Sequence, residues 1–167
     1  MINFSTPTEE SFYNFVFRTG HKIVKINEER SPDFLVDNEY SFEIKAANIS
    51  GTQRSLGPII LQNINYESLF KKFLGDAHCK IKHYSQLNPT KYFALVIYNL
   101  RPLIEFERII IPEIKKIDMT LYPLIDSLIF AGYNKPSNLT TALHIHGKGN
   151  ETIIDQLLQK INHSYII

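Results

Sequence analysis

The run Lys91-Tyr-Phe-Ala-Leu-Val-Ile-Tyr98 constrains this chain more than any other stretch. A half-exposed strand alternates apolar with polar residues. A nearly continuous apolar run of this length predicts a strand buried on both faces. Such a strand belongs inside a sheet with a layer on each side, and the sequence offers helices for both layers. Thr6-Pro7-Thr8-Glu9 opens one: Thr6 suits the cap, Pro7 the first helical position, and Glu9 lies three residues after the cap. Phe12, Tyr13, Val16 and Phe17 then recur at helical spacing, and Gly20 suits the end. A second helical region runs from about Ile59 to Leu87, with an interruption expected near Gly75.

Further strands are expected at His21 to Ile26, Asp33 to Val36 and Tyr40 to Ala47. The last two are joined by Asp37-Asn38-Glu39 as a hairpin. Ser31-Pro32 breaks the chain ahead of them. Beyond Pro102, Phe106 to Ile111 and Leu143 to His146 read as strands and Glu151 to Ile161 as a helix. The expected class is α/β, with a mixed central β-sheet flanked by helices. At 167 residues, with no repeat or linker, the chain is expected to be a single domain.

Hydrophobic residues at 44% and charged residues at 21% exclude disordered and collagen-like classes. One cysteine, Cys79, makes no internal disulfide and no thiolate metal site. No apolar run approaches the ~18 residues of a membrane span. Met1 to Ser11 lacks the basic-then-apolar order of a signal peptide. The expectation is a cytoplasmic protein with no membrane partner.

The net charge of +1 conceals a division along the chain. Residues 1–44 carry four Lys/Arg against eight Asp/Glu, residues 45–101 eight against two, and residues 102–167 six against seven. A basic middle segment suits a polyanionic partner, although a lysine-bearing helix balanced by acids elsewhere has the same composition.

The stretch Ser31 to Ala47 carries the chemistry. On its second strand Tyr40, Phe42, Ile44 and Ala46 share one face, while Ser41, Glu43, Lys45 and Ala47 share the other. Glu43 and Lys45 are thus neighbours, and a hairpin brings Asp33 towards them. Two converging carboxylates suit a hard divalent cation. An adjacent ammonium can hold a water and stabilise negative charge on a phosphate. A half-exposed hairpin with a solvated Glu–Lys pair has the same alternation, so the spacing alone leaves both readings open.

The ordered set Glu9, Gly20-His-Lys-Ile-Val-Lys-Ile26, Pro32-Asp33 and Glu43-Ile44-Lys45 resembles the PD-(D/E)XK nuclease superfamily. That superfamily includes restriction endonucleases, Holliday-junction resolvases, recombination exonucleases and tRNA-cleaving toxins. The resemblance spans about residues 8–98. It implies a restriction-endonuclease-like fold and a nuclease that uses Mg²⁺ or Mn²⁺. Asp33, Glu43 and the Ile44 carbonyl would be the metal ligands, and Lys45 would position the attacking water. The helix acid of the family would fall on Glu9, on Glu10 or on neither. Glu9 is favoured because it shares the face of Phe12, Tyr13 and Val16, although it also completes a capping box, which is a sufficient structural reason for it.

Gln62-Asn-Ile-Asn-Tyr66 matches the Gln-x-x-x-Tyr pattern of the recombination-exonuclease branch, although its other motifs are absent and two fixed residues in five arise easily by chance. With Arg54, Lys71 and Lys72, Gln62 completes the expected substrate contacts. The expected partner is nucleic acid, DNA ahead of RNA, with homodimer formation suggested by analogy. The alternatives are an RNase or tRNA-directed toxin domain, and a non-catalytic binder on the same scaffold. His144-Ile-His146 lacks an acid or cysteine at ligand spacing, and Gly147-Lys-Gly149 lacks the spacing of a phosphate-binding loop.

Overall fold

The computed structural model describes residues 2–18, 20–46, 65–90, 92–99, 111–134 and 139–147. Helix α1 (Pro7–Arg18) begins where the sequence places it: Thr6 Oγ1 accepts the Glu9 backbone N–H at 3.3 Å. Its Phe12 and Val16 are buried, and Gly20 follows at φ +85°, a conformation that glycine adopts without a side-chain clash. Strands β1 (Ile23–Lys25), β2 (Phe34–Val36) and β3 (Tyr40–Ala46) form an antiparallel meander. Asp37 and Asn38 take positive φ values of 49° and 60° in the β2–β3 turn, which Asp and Asn tolerate better than most residues. The Asp37 carboxylate also accepts the Lys22 backbone N–H at 2.9 Å, which fastens the start of β1 to that turn.

Helix α2 (Tyr66–Leu87) connects β3 to β4 (Tyr92–Asn99), which pairs with β3 in parallel. Parallel neighbours need a crossover of this kind. Asn65 caps α2 by accepting the Ser68 N–H at 2.9 Å. The helix runs unbroken through Gly75, which corrects the expected interruption: buried residues from Tyr66 to Tyr84 hold both halves against one core. One glycine weakens a helix without ending it when packing continues on either side. Residues 59–64 of the expected helical region lie outside the described residues.

After β4 come a short helix α3 (Ile111–Lys115), a 3₁₀ turn (Met119–Leu121), and strands β5 (Ser127–Asn134) and β6 (Leu139–Gly147). Ile111 opens a helix instead of closing a strand, and residues 106–110 lie outside the described residues, as does the helix expected over Glu151 to Ile161. β5 pairs with β4 in parallel and β6 with β5 antiparallel. The result is one six-stranded mixed sheet in the order β1-β2-β3-β4-β5-β6.

β4 is covered on both faces, as its apolar run predicts. Phe93, Leu95 and Ile97 pack in the core beneath α2, with Phe70, Leu74 and Ile81. Tyr92, Ala94, Val96 and Tyr98 pack in the core beneath α1, with Phe12, Val16, Phe34 and Phe42. The α/β class and the flanked mixed sheet therefore hold. Among the described residues no helix is long and apolar enough to cross a membrane.

Candidate functional site

The strand period decides which side chains meet. On β3, Phe42 and Ile44 enter the core under α1, so Glu43 and Lys45 turn towards α2. The register pairs Phe34 with Phe42, and one step further brings Asp33 level with Glu43. Another step brings Pro32 level with Ile44, and proline has no N–H to donate there. The Ile44 N–H, for its part, donates to the Asp33 side chain instead of to a strand carbonyl, with Oδ2 accepting at 2.7 Å. A residue's N–H and C=O point to the same edge of a strand, so the Ile44 carbonyl also faces the β2 side. Asp33, Glu43, Lys45 and the Ile44 backbone thus come together at one place.

Lys80 of α2 joins them and was not anticipated. Its Nζ lies 2.7 Å from Glu43 Oε1 and 4.0 Å from Asp33 Oδ1. Lys45 Nζ reaches the same Glu43 oxygen at 2.8 Å. Lys80 does have a signal in the sequence: it falls three residues after Ala77 and four before Tyr84, in phase with the buried stripe of α2. A lysine in that phase needs either a snorkelling route or a buried anion.

Glu43 is fully buried, and its Oε2 has no hydrogen-bond partner among the described residues. Burial pushes Asp33 from the ordinary 3.8 up to about 6, and the charge of Glu43 adds to the rise. The Ile44 N–H and Lys80 oppose it, while Glu9 contributes a smaller upward push. Burial would lower the pKa of Lys45, but the charge and hydrogen bond of Glu43 outweigh it, followed by Asp33 and Asp76, and the net direction is upward. Lys45 therefore stays an ammonium at neutral pH and acts as a donor and positive charge, not as a proton acceptor.

This donor set fits a hard divalent cation. Two carboxylates repel each other across a strand pair, and one buried carboxylate oxygen is unsatisfied. Among the described residues no cluster of three His, Cys, Asp or Glu side chains is assembled for a metal. Asp33 and Glu43, helped by the Ile44 carbonyl, would be the holders. Such a cation would polarise a phosphate oxygen and lower the pKa of a bound water.

Glu9 is buried on α1, and its carboxylate binds Lys25 Nζ at 2.5 Å and the Ser5 N–H at 3.1 Å. It reaches the residue before the cap instead of the cap itself, so the expected capping box is displaced by one residue. Glu10 is exposed. Lys25 also lies 5.5 Å from the centre of the Phe4 ring. Lys25, Arg30, Ser31, Asp33 and Lys80 contribute to the lining of a cleft of about 350 Å³ beside the carboxylates.

Of the expected substrate contacts, the two that are described, Lys71 and Lys72, do not line this cleft. Lys71 is paired with Glu67 at 2.5 Å on the exposed side of α2, and Lys72 is exposed. Tyr66 is buried in the core beneath α2, while Arg54 and Gln62 lie outside the described residues. His144 and His146 fall in β6, opposite Ile129 and Leu128 across a register shift. No family model matches this chain, and no curated protein or solved structure matches it.

Proposed function

We propose that this chain is a Mg²⁺- or Mn²⁺-dependent nuclease on a restriction-endonuclease-like scaffold, and that it cleaves DNA endonucleolytically. The observation that carries the reading is the meeting of Asp33, Glu43 and Lys45 at one end of the β2–β3 pair. The element order α1-β1-β2-β3-α2-β4 supports it, since this is the order in which the resembling motifs occur. Asp33 and Glu43 would hold the cation. The Lys45 ammonium would orient the attacking water and offset the charge that develops on phosphorus oxygens. The cleft beside Asp33 carries Lys25, Arg30 and Lys80 on its wall against Asp33 and Glu28, so a cation held by the carboxylates would be what tips it towards an anionic backbone.

A cleavage assay on supercoiled plasmid and on tRNA with Mn²⁺ or Mg²⁺ tests this, comparing wild type with the Asp33→Ala/Glu43→Ala double variant. Plasmid cleavage that disappears in the folded double variant is the expected result, and cleavage of tRNA alone would reassign the substrate to RNA. Activity that survives the double substitution would overturn the assignment of the site.

One observation favours a non-catalytic scaffold: Glu43 Oε1 is already engaged by both Lys45 and Lys80. That reading predicts a folded wild type that takes up neither cation, with or without nucleic acid, as calorimetry would reveal.

A further inference from the structure

Lys80 comes from a different element than the β2–β3 groups, yet its ammonium stands between the two carboxylates, 2.7 Å from one and 4.0 Å from the other. With Lys45 it brings the local charge of the four side chains to zero. A divalent cation entering beside Asp33 and Glu43 would leave two ammonium groups and a dication facing two carboxylates. One ammonium is then in the wrong place.

The two lysines differ in their way out. Lys45 lies on the sheet and is influenced by Glu43, Asp33 and Asp76 together. Lys80 is the more exposed, at 30% against 22%, and it lines the cleft of about 350 Å³. Its long stem lets the head group swing into that space while the helix stays packed. We propose that Lys80 is the resident counter-ion of the Asp33–Glu43 pair and that an entering divalent cation expels its ammonium into the cleft. Cation uptake is then an exchange, and Lys80 sets its threshold. This rests on the reading of Asp33 and Glu43 as a cation site, and adds to it a residue that competes with the cation.

Calorimetric titration of Mn²⁺ into the full chain, as wild type, Lys80→Gln and Lys80→Arg, tests the exchange. Removing the competing charge is expected to tighten Mn²⁺ binding in Lys80→Gln by about tenfold or more, with Lys80→Arg remaining near wild type. Amine labelling of the wild type, read by mass spectrometry, needs no variant to fold. Labelling of Lys80 should rise several-fold at saturating Mn²⁺, measured against exposed Lys71, Lys72 and Lys82 as internal references. Lys80→Gln binding Mn²⁺ no tighter than wild type would overturn the proposal, and so would unchanged Lys80 labelling in a Mn²⁺-saturated wild type. Uptake by Lys80→Gln with none by wild type supports it. No uptake by any of the three forms removes the cation site itself and the exchange with it. Normal Mn²⁺ exchange without cleavage of any nucleic acid would leave the exchange standing and count only against the nuclease.

Discussion

Asp33 Oδ2 accepts the backbone N–H of Ile44 at 2.7 Å, so one carboxylate both binds the backbone of β3 and faces the charge of Glu43. These two duties conflict. The hydrogen bond favours the ionised form, while burial and the Glu43 charge disfavour it more strongly and carry the pKa up to about 6. An unfolded chain has Asp33 near 3.8. The folded state thus binds the proton more tightly, and stability is lost as pH rises from below 3.8 through about 6, then levels off. Asp33→Asn retains an acceptor for Ile44 without the charge. It should be more stable than wild type by about 1–3 kcal/mol at pH 7.5, and the gap should narrow at pH 4.5. Urea unfolding at the two pH values measures this, and a variant that is less stable at pH 7.5 contradicts it.

Removal of one partner of the buried Glu9–Lys25 pair should cost more than neutralising both. Lys25→Met leaves the Glu9 carboxylate with only the Ser5 N–H among its described contacts and should cost about 3 kcal/mol. Glu9→Gln combined with Lys25→Met should recover part of that loss, because no uncompensated charge remains. Equilibrium unfolding of the single and double variants gives the coupling. Equal destabilisation of the two would show that the pair is not electrostatically linked.

Gly75 offers a cheaper change. A Cβ placed there meets nothing within 4 Å, and the helix is continuous on both sides. Gly75→Ala should therefore stabilise the protein by about 0.5–1 kcal/mol, by removing glycine's excess freedom in the unfolded chain. A thermal melt that moves down instead would mean that α2 does bend at this position.

Much of the fold could be read from periodicity because each strand and helix carries its own burial pattern. The unbroken apolar run of β4 announced two covered faces, and the alternation in Tyr40 to Ala46 put Glu43 and Lys45 on the opposite face from Phe42 and Ile44. Ser31-Pro32 marked the break ahead of β2 for a backbone reason, since proline supplies no N–H and restricts the residue before it. Lys80 escaped notice because its partners lie 37 and 47 residues earlier in the chain, and only the crossover through α2 brings it to them. The strength of packing around Gly75 was invisible for a similar reason. A propensity is local, whereas the core that overrides it is shared with β4 and the residues that follow.

Lys45 yields the prediction that bears most directly on chemistry. Its ammonium is held by Glu43 at 2.8 Å and remains charged at neutral pH, so a role as general base is closed to it. On the proposed nuclease reading, what remains for it is water orientation and charge stabilisation, both of which need the positive charge and its placement. Lys45→Met should lower the single-turnover cleavage rate by about 10²–10³-fold, the range found when one charge-stabilising donor is removed. Mn²⁺ binding should persist in the same variant, because Asp33, Glu43 and the Ile44 carbonyl are untouched. Lys45→Arg keeps the charge but spreads it over a planar fork, and should restore only part of the rate. Calorimetry beside single-turnover kinetics separates the two effects. Loss of Mn²⁺ binding in Lys45→Met would instead make this lysine an organiser of the Glu43 carboxylate, with its influence on the rate following from that.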